Sequence, residues 1–165
     1  MYARLFFCVM NMEYTLLLQK SKMDSLVKDS LADFGMVCTD VPFMPCGETK
    51  ELPKRDWSDE DGEDTYIPDR IPLSAFDWKI GMGYKGGLAT AQGALKKFTE
   101  YLTGKDGSGA ELKVYSQFTG IGRQGIYFKG ISDFDFFKTD IDEVVTFNVK
   151  LRVTDPSTNV VLSKM

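Results

Sequence analysis

The chain contains no histidine, so the commonest general base and the commonest metal ligand are both missing. Cysteine is scarce: Cys8, Cys38 and Cys46 are odd in number and have no Cys-x-x-Cys spacing. A zinc site needs four ligands, which these thiols supply only with carboxylate help. They read as reduced thiols of a cytosolic, soluble protein. Long apolar runs are lacking too. Residues 5–10 (Leu-Phe-Phe-Cys-Val-Met) give six apolar positions, short of the ~7–15 of a secretory core and of the ~20 of a membrane span. Met10 or Met12 is an equally good start. Nor is there a dense Lys/Arg stripe, and the net charge is −4. Tight nucleic-acid binding needs many phosphate contacts, so that class is disfavoured.

What is present suits one domain spanning residues 1–165, long enough to bury a substantial core. Hydrophobic residues make up 43% and charged residues 27%, as in ordinary globular chains. Twelve Phe and seven Tyr favour strands over helices.

Near the N-terminus, residues 14–18 read as a strand. Met23, Leu26, Val27, Leu31 and Phe34 fall at helical spacing, so a helix is expected over residues 21–34, ended by Gly35. Residues 36–41 then read as a short strand closed by Pro42 and Pro45. Residues 46–72 form one long irregular stretch with three prolines, two glycines and an acidic run, Asp56, Asp59, Glu60, Asp61, Glu63 and Asp64. A loop of that length in a compact domain is usually functional or disordered. Trp57, Tyr66 and Ile67 among the charges argue against plain disorder.

Residues 76–156 hold the best-defined core. Trp78, Ile80, Met82 and Tyr84 alternate with small or charged residues, which is the period of a half-buried strand. Leu88, Ala91, Ala94, Leu95, Phe98, Tyr101 and Leu102 recur at helical spacing, and Gly104 stands at the C-terminal cap position. Strands follow over residues 112–118 and 125–131. Val145, Phe147, Val149, Leu151 and Val153 then alternate without a break, giving a long antiparallel strand stopped by Asp155-Pro156. A last short strand is expected at residues 160–162. The fold class is mainly β (α+β): an antiparallel β-sandwich or open barrel with one packed amphipathic helix and a long acidic loop.

No enzymatic chemistry emerges. If Gly62 is set sixth in a calcium loop, position one falls on Trp57, which cannot bind a cation. Gly120-Ile121-Gly122-Arg123-Gln124-Gly125 spells Gly-x-Gly-x-x-Gly, but a strand follows it, so no helix N-terminus stands ready for pyrophosphate. A hairpin turn is the expected reading. Serines and cysteines have no histidine to activate them. No catalytic residue, cofactor or metal ligand is assigned.

The acidic loop suits contact with another chain, where charge steers docking more than it adds affinity. The last strand and the short tail after Asp155-Pro156 suit pairing with a neighbour's sheet edge. Candidate inter-subunit contacts are Trp57, Asp59, Glu60, Asp61, Glu63, Asp64, Tyr66, Arg123 and Arg152.

The strand Trp78–Tyr84, the helix ALKKFTEYL, the strand ELKVYSQF, the hairpin GRQGIYFKGI and the strand EVVTFNVKLRVTDP follow one another in an order that resembles the domain of bacteriophage tail tube and distal tail (baseplate hub) proteins. The resemblance covers about half the chain, residues 80–156, and is one of pattern. It implies a non-catalytic virion tail subunit, assembled in the host cytoplasm into hexameric rings with copies of itself and with other tail proteins. It further implies non-specific passage of DNA through an acidic lumen, no membrane, and a loop over residues 48–72 that contacts other subunits or rings. The alternatives are a tail terminator or completion adaptor ring, and a monomeric calcium- or carbohydrate-binding sandwich.

Overall fold

A computed structural model describes residues 15–22 and 25–164. Its elements are β1 (Leu16–Lys20), β2 (Lys28–Asp29), α1 (Ser30–Phe34), β3 (Met36–Asp40), β4 (Lys54–Arg55), β5 (Asp64–Thr65), β6 (Phe76–Lys85), α2 (Leu88–Thr103), β7 (Leu112–Ser116), β8 (Ile121–Lys138) and β9 (Glu143–Val153). Seven strands form one sheet in the order β2-β1-β7-β8-β9-β6-β3, with every pairing antiparallel. β2 and β3 stand at its two ends and are not paired with each other, so the barrel is open.

β9, whose alternation is the cleanest in the sequence, lies inside the sheet next to the central strand β8. It pairs with β6 on one side, from Phe76↔Val153 to Lys85↔Val144, and with β8 on the other. Phe147, Val149, Leu151 and Val153 point into the core beside Trp78, Ile80 and Met82. Burying such side chains stabilises by about 1.5–3 kcal/mol each. α2 lays Phe98, Tyr101 and Leu102 on this core, and Phe34 of α1 meets Phe98 and Tyr101 with ring centroids 5.1 Å apart. α2 ends where expected, with Gly104 left-handed at φ 76°. A Cβ there would sit 2.5 Å from the Gly109 carbonyl carbon.

Four expectations need correction. The helix expected from residue 21 starts only at Ser30. The Asp29 carboxylate accepts from the Leu31 and Ala32 N–H groups at 2.8 and 3.2 Å, so it caps a helix and does not continue one. Lys28 and Asp29 pair with β1 instead, while Met23, Asp24 and the Tyr14 end of the first strand lie outside the described residues. The Gly-rich stretch 120–125 is not a turn throughout. The chain turns over residues 117–120, and Gly125, at φ 61°, lies inside β8 where the register with β7 shifts. Residues 160–162 form no strand; Val160 donates one backbone bond to Gly122 O at 3.1 Å. Residues 46–72 are not irregular throughout. Thr49 bridges Leu73 and β4 pairs with β5, so the segment folds back on itself as a two-stranded arm.

Candidate assembly surfaces

β9 has a partner along both sides, so its backbone cannot accept a strand from another chain. The expectation of augmentation is corrected on that ground for β9 alone. Besides the outer sides of β2 and β3, a longer free run of backbone lies on β8. β7 stops pairing at Leu112↔Ile126, whereas β8 runs on to Lys138 beside β9. From Tyr127 to Lys138, no described strand takes up the side that β7 leaves. An unpaired run of this length is a template for strand addition unless something covers or blunts it.

Several exposed side chains on and just beyond the same stretch are apolar. Phe134 is 59% exposed, Phe137 53%, and Ile141 in the turn beyond 88%. Phe136 and Tyr127 are exposed as well. Charges frame them: Lys79 pairs with Asp133 at 2.7 Å, Lys85 with Asp142 at 2.9 Å, and Lys138 with Glu143 at 3.1 Å. Asp133 also accepts from Asn148. These hydrogen bonds, that of Lys79 foremost, hold its carboxyl down to about 2 and accompany a left-handed φ of 57°. Sequence reading stopped β8 at Ile131 and missed this surface. The signal was there in Asp133-Phe134-Asp135-Phe136, which alternates like a strand, but Gly130 and the two acids disguised it.

The second surface is the arm. Lys50 N donates to Pro72 O at 2.8 Å, Ser74 N to Glu48 O at 2.8 Å, and Tyr66 N to Pro53 O at 3.1 Å, tying its two legs together. Trp57, Tyr66 and Ile67 on it are all exposed, and Arg55 lies 6.0 Å from the Trp57 ring. Asp59, Glu60 and Asp61 occupy its exposed turn. Glu63 pairs with Lys54 at 3.1 Å, and the hydrogen bond from Lys54 holds its carboxyl below the ordinary range. Asp64 stands opposite Arg55 in the short ladder.

The two arginines are elsewhere and are engaged within their own chain. Arg152 donates to Asp77 at 3.1 Å, and Lys129 bonds the same carboxylate at 2.9 Å; Lys129 foremost, they hold it below its usual range. Arg123 is buried, with its guanidinium on the carbonyls of Pro45 at 2.9 Å and Met44 at 3.3 Å. Buried and so occupied, it is not a surface contact of the chain, which corrects that assignment. Sequence reading places arginine outside by default, and nothing local marks this one as a core residue.

One cavity of about 150 Å³ opens between β3 and β1, lined in part by Thr15, Cys38, Thr39, Asp40 and Ser116. Burial, reinforced by the Asp40 carboxylate, pushes the Cys38 thiol up to about 12. It stays protonated at neutral pH and is a poor nucleophile. Among the described residues, no three Cys, Asp or Glu side chains are placed to hold a metal ion, and no helix is long and apolar enough to cross a membrane. No protein-family model matches the chain, and no curated protein is significantly similar to it.

Proposed function

We propose that this chain is a non-catalytic structural subunit that assembles with copies of itself, as a ring of a phage-type tail: a tail tube or distal tail hub subunit. The observation that carries the reading is the free side of β8 from Tyr127 to Lys138, with Phe134, Phe136 and Phe137 exposed along it. A soluble monomer normally blunts such an edge. Here a neighbouring subunit's strand would complete it, and the arm would reach a further subunit or ring. The order of strands and helix over residues 80–156 supports the same reading through its likeness to tail tube and distal tail proteins. In such a ring, carboxylates facing the lumen would repel phosphate and let DNA slide.

Native mass spectrometry with negative-stain microscopy of the purified chain tests this. Closed rings, stacked or single, are expected. Phe137→Lys with Ile141→Lys places two charges at the end of the free edge, and should leave the fold intact while shifting the population to monomer. A wild-type chain that stays monomeric at high concentration, or a double variant that assembles as well as wild type, would refute the proposal. Single rings that never stack would favour the terminator or adaptor position.

A further inference from the structure

After β9 the chain does not leave the body. Thr154 N donates to Gly125 O at 3.0 Å, and the Asp155 carboxylate accepts from Gln124 at 2.9 Å and from the Ser157 and Thr158 N–H groups at 3.2 Å. Asn159 and Val160 then seat on Gly122. The glycine N–H donates to Asn159 Oδ1 at 3.0 Å, and its carbonyl receives Val160 N at 3.1 Å. Leu162 beyond them is buried. The fit leaves no room for a side chain: a Cβ on Gly122 would fall 1.7 Å from Val160 O. Gly122 is therefore glycine because another stretch of backbone crosses it.

The same segment passes close to the root of the arm. At Gly47, where the arm leaves the body, a Cβ would lie 3.5 Å from Pro156 Cβ, 3.2 Å from Ser74 O and 3.3 Å from Phe76. From the β8 side, Arg123 grips the preceding residues by the carbonyls of Met44 and Pro45, and donates to Gly122 O at 3.3 Å. The root is thus bonded by Arg123 on one side and flanked by Pro156 on the other, while most of the arm beyond it lies in solvent.

We propose that residues 154–164 act as a strap that, together with Arg123, fixes the direction in which the arm projects. The strap is distant in sequence from the arm, and to the sheet it adds only its bonds to Gly122, Gln124 and Gly125 of β8. Its effect is to convert a hinged hairpin into a rigid lever. The inference holds whether or not the arm meets a partner.

The test measures arm direction in the dilute, monomeric full chain. Spin labels are placed at Ser58→Cys in the arm turn and Lys97→Cys on α2, with Cys8 and Cys46 changed to Ser. Pulsed dipolar spectroscopy should give one narrow distance distribution. Gly122→Ala, which unseats Val160, should broaden it by about two-fold or more, while β9 amides keep their protection from hydrogen exchange. Asn159→Ala removes only one anchoring bond and should broaden it less. An unchanged width in both variants would overturn the proposal. So would loss of β9 protection in Asn159→Ala, because the segment would then belong to the core of the fold.

Discussion

Lys20 offers a prediction whose sign follows from its surroundings. It is only 3% exposed, its ammonium donates to the carbonyls of Tyr101 and of Gly109, the latter at 2.6 Å, and it lies 4.3 Å from the Tyr101 ring centroid. Burial lowers its pKa from 10.5 to about 8, against the opposing pull of Asp106 and with help from Lys28 and Lys22. Between those two values the unfolded chain holds a proton that the folded chain has released, so stability rises with pH. The gain from pH 7 to pH 9 is about 1 kcal/mol. Two groups oppose it. Cys38 is raised from 9.0 to about 12 and Tyr101 from 10.0 to about 12, both chiefly by burial. Their stability is fully present below the unfolded values and is lost as pH climbs toward the folded ones. By pH 9 the Cys38 loss is only about 0.4 kcal/mol, whereas by pH 10 it exceeds about 1 kcal/mol. Urea unfolding of wild type should therefore show stability climbing from pH 7 to a maximum near pH 9 to 10, then falling. Lys20→Met should show no climb and a fall from about pH 9. The slope is more informative than the absolute effect of Lys20→Met at pH 7. Orphaning the buried Tyr101 carbonyl costs about 1–3 kcal/mol and the half-buried Gly109 carbonyl less, and relief of a charge held about 2.5 pK units below its ordinary value returns about 3 kcal/mol. A wild-type profile that is flat or falling from pH 7 to 9, or a variant that climbs equally, would refute the reasoning.

Phe147→Asp should abolish folding: Phe147 is 2% exposed in the core, and an unpaired carboxylate there costs more than most domains can spare. Circular dichroism and a lost thermal transition would show it; a cooperative transition retained at neutral pH would count against the assigned core. Deleting Asp59–Asp64 removes the arm's turn, the Lys54–Glu63 pair and one residue of β5, but no core side chain. Monomer stability should change by less than about 0.5 kcal/mol, while on the proposed reading ring formation weakens and loses part of its salt dependence. An unfolded deletion variant would place the arm within the folding unit.

What the sequence disclosed, and what it hid, divides along the range of the interactions. β6, α2, β7 and β9 were legible because each buries one face and repeats with the period of its own backbone: Trp78, Ile80 and Met82 for a strand, Ala91, Phe98 and Leu102 for a helix. Errors arose where a distant contact decides. Asp29 reads as one more residue of a helix until its role as cap and as partner of Leu17 on β1 is seen. Gly122 and Gly125 look like one glycine-rich turn, yet one makes room for Val160 and the other allows a left-handed bulge. Arg123 is buried because residues 44 and 45, nearly eighty positions away, bring their carbonyls to it. No window of sequence holds that information. Of the two proposed assembly surfaces, the arm is the one that its aromatics and acids mark in the sequence, whereas the β8 edge is hidden by its interrupted pattern.

The energetics of that edge bear on the kind of assembly to expect. Phe134, Phe136, Phe137 and Ile141 are the exposed apolar side chains at its far end. Covering each yields at most about 2 kcal/mol, because part of every side chain is already shielded, so the four supply at most about 8 kcal/mol before backbone pairing. Bringing two chains together costs an estimated 4–15 kcal/mol. A lone edge contact is therefore marginal, and a pair of subunits joined only there should dissociate readily. Closure changes the balance. In a ring every subunit gives one contact and receives another, and the last contact forms between partners already held close, so its association cost is largely met. On the proposed reading, assembly is consequently all-or-none: monomers and complete rings, with few dimers or trimers between them. A mass spectrum dominated by dimers across a hundred-fold range of concentration would mean that β8 pairs two-fold with its own copy and that no ring is built from it.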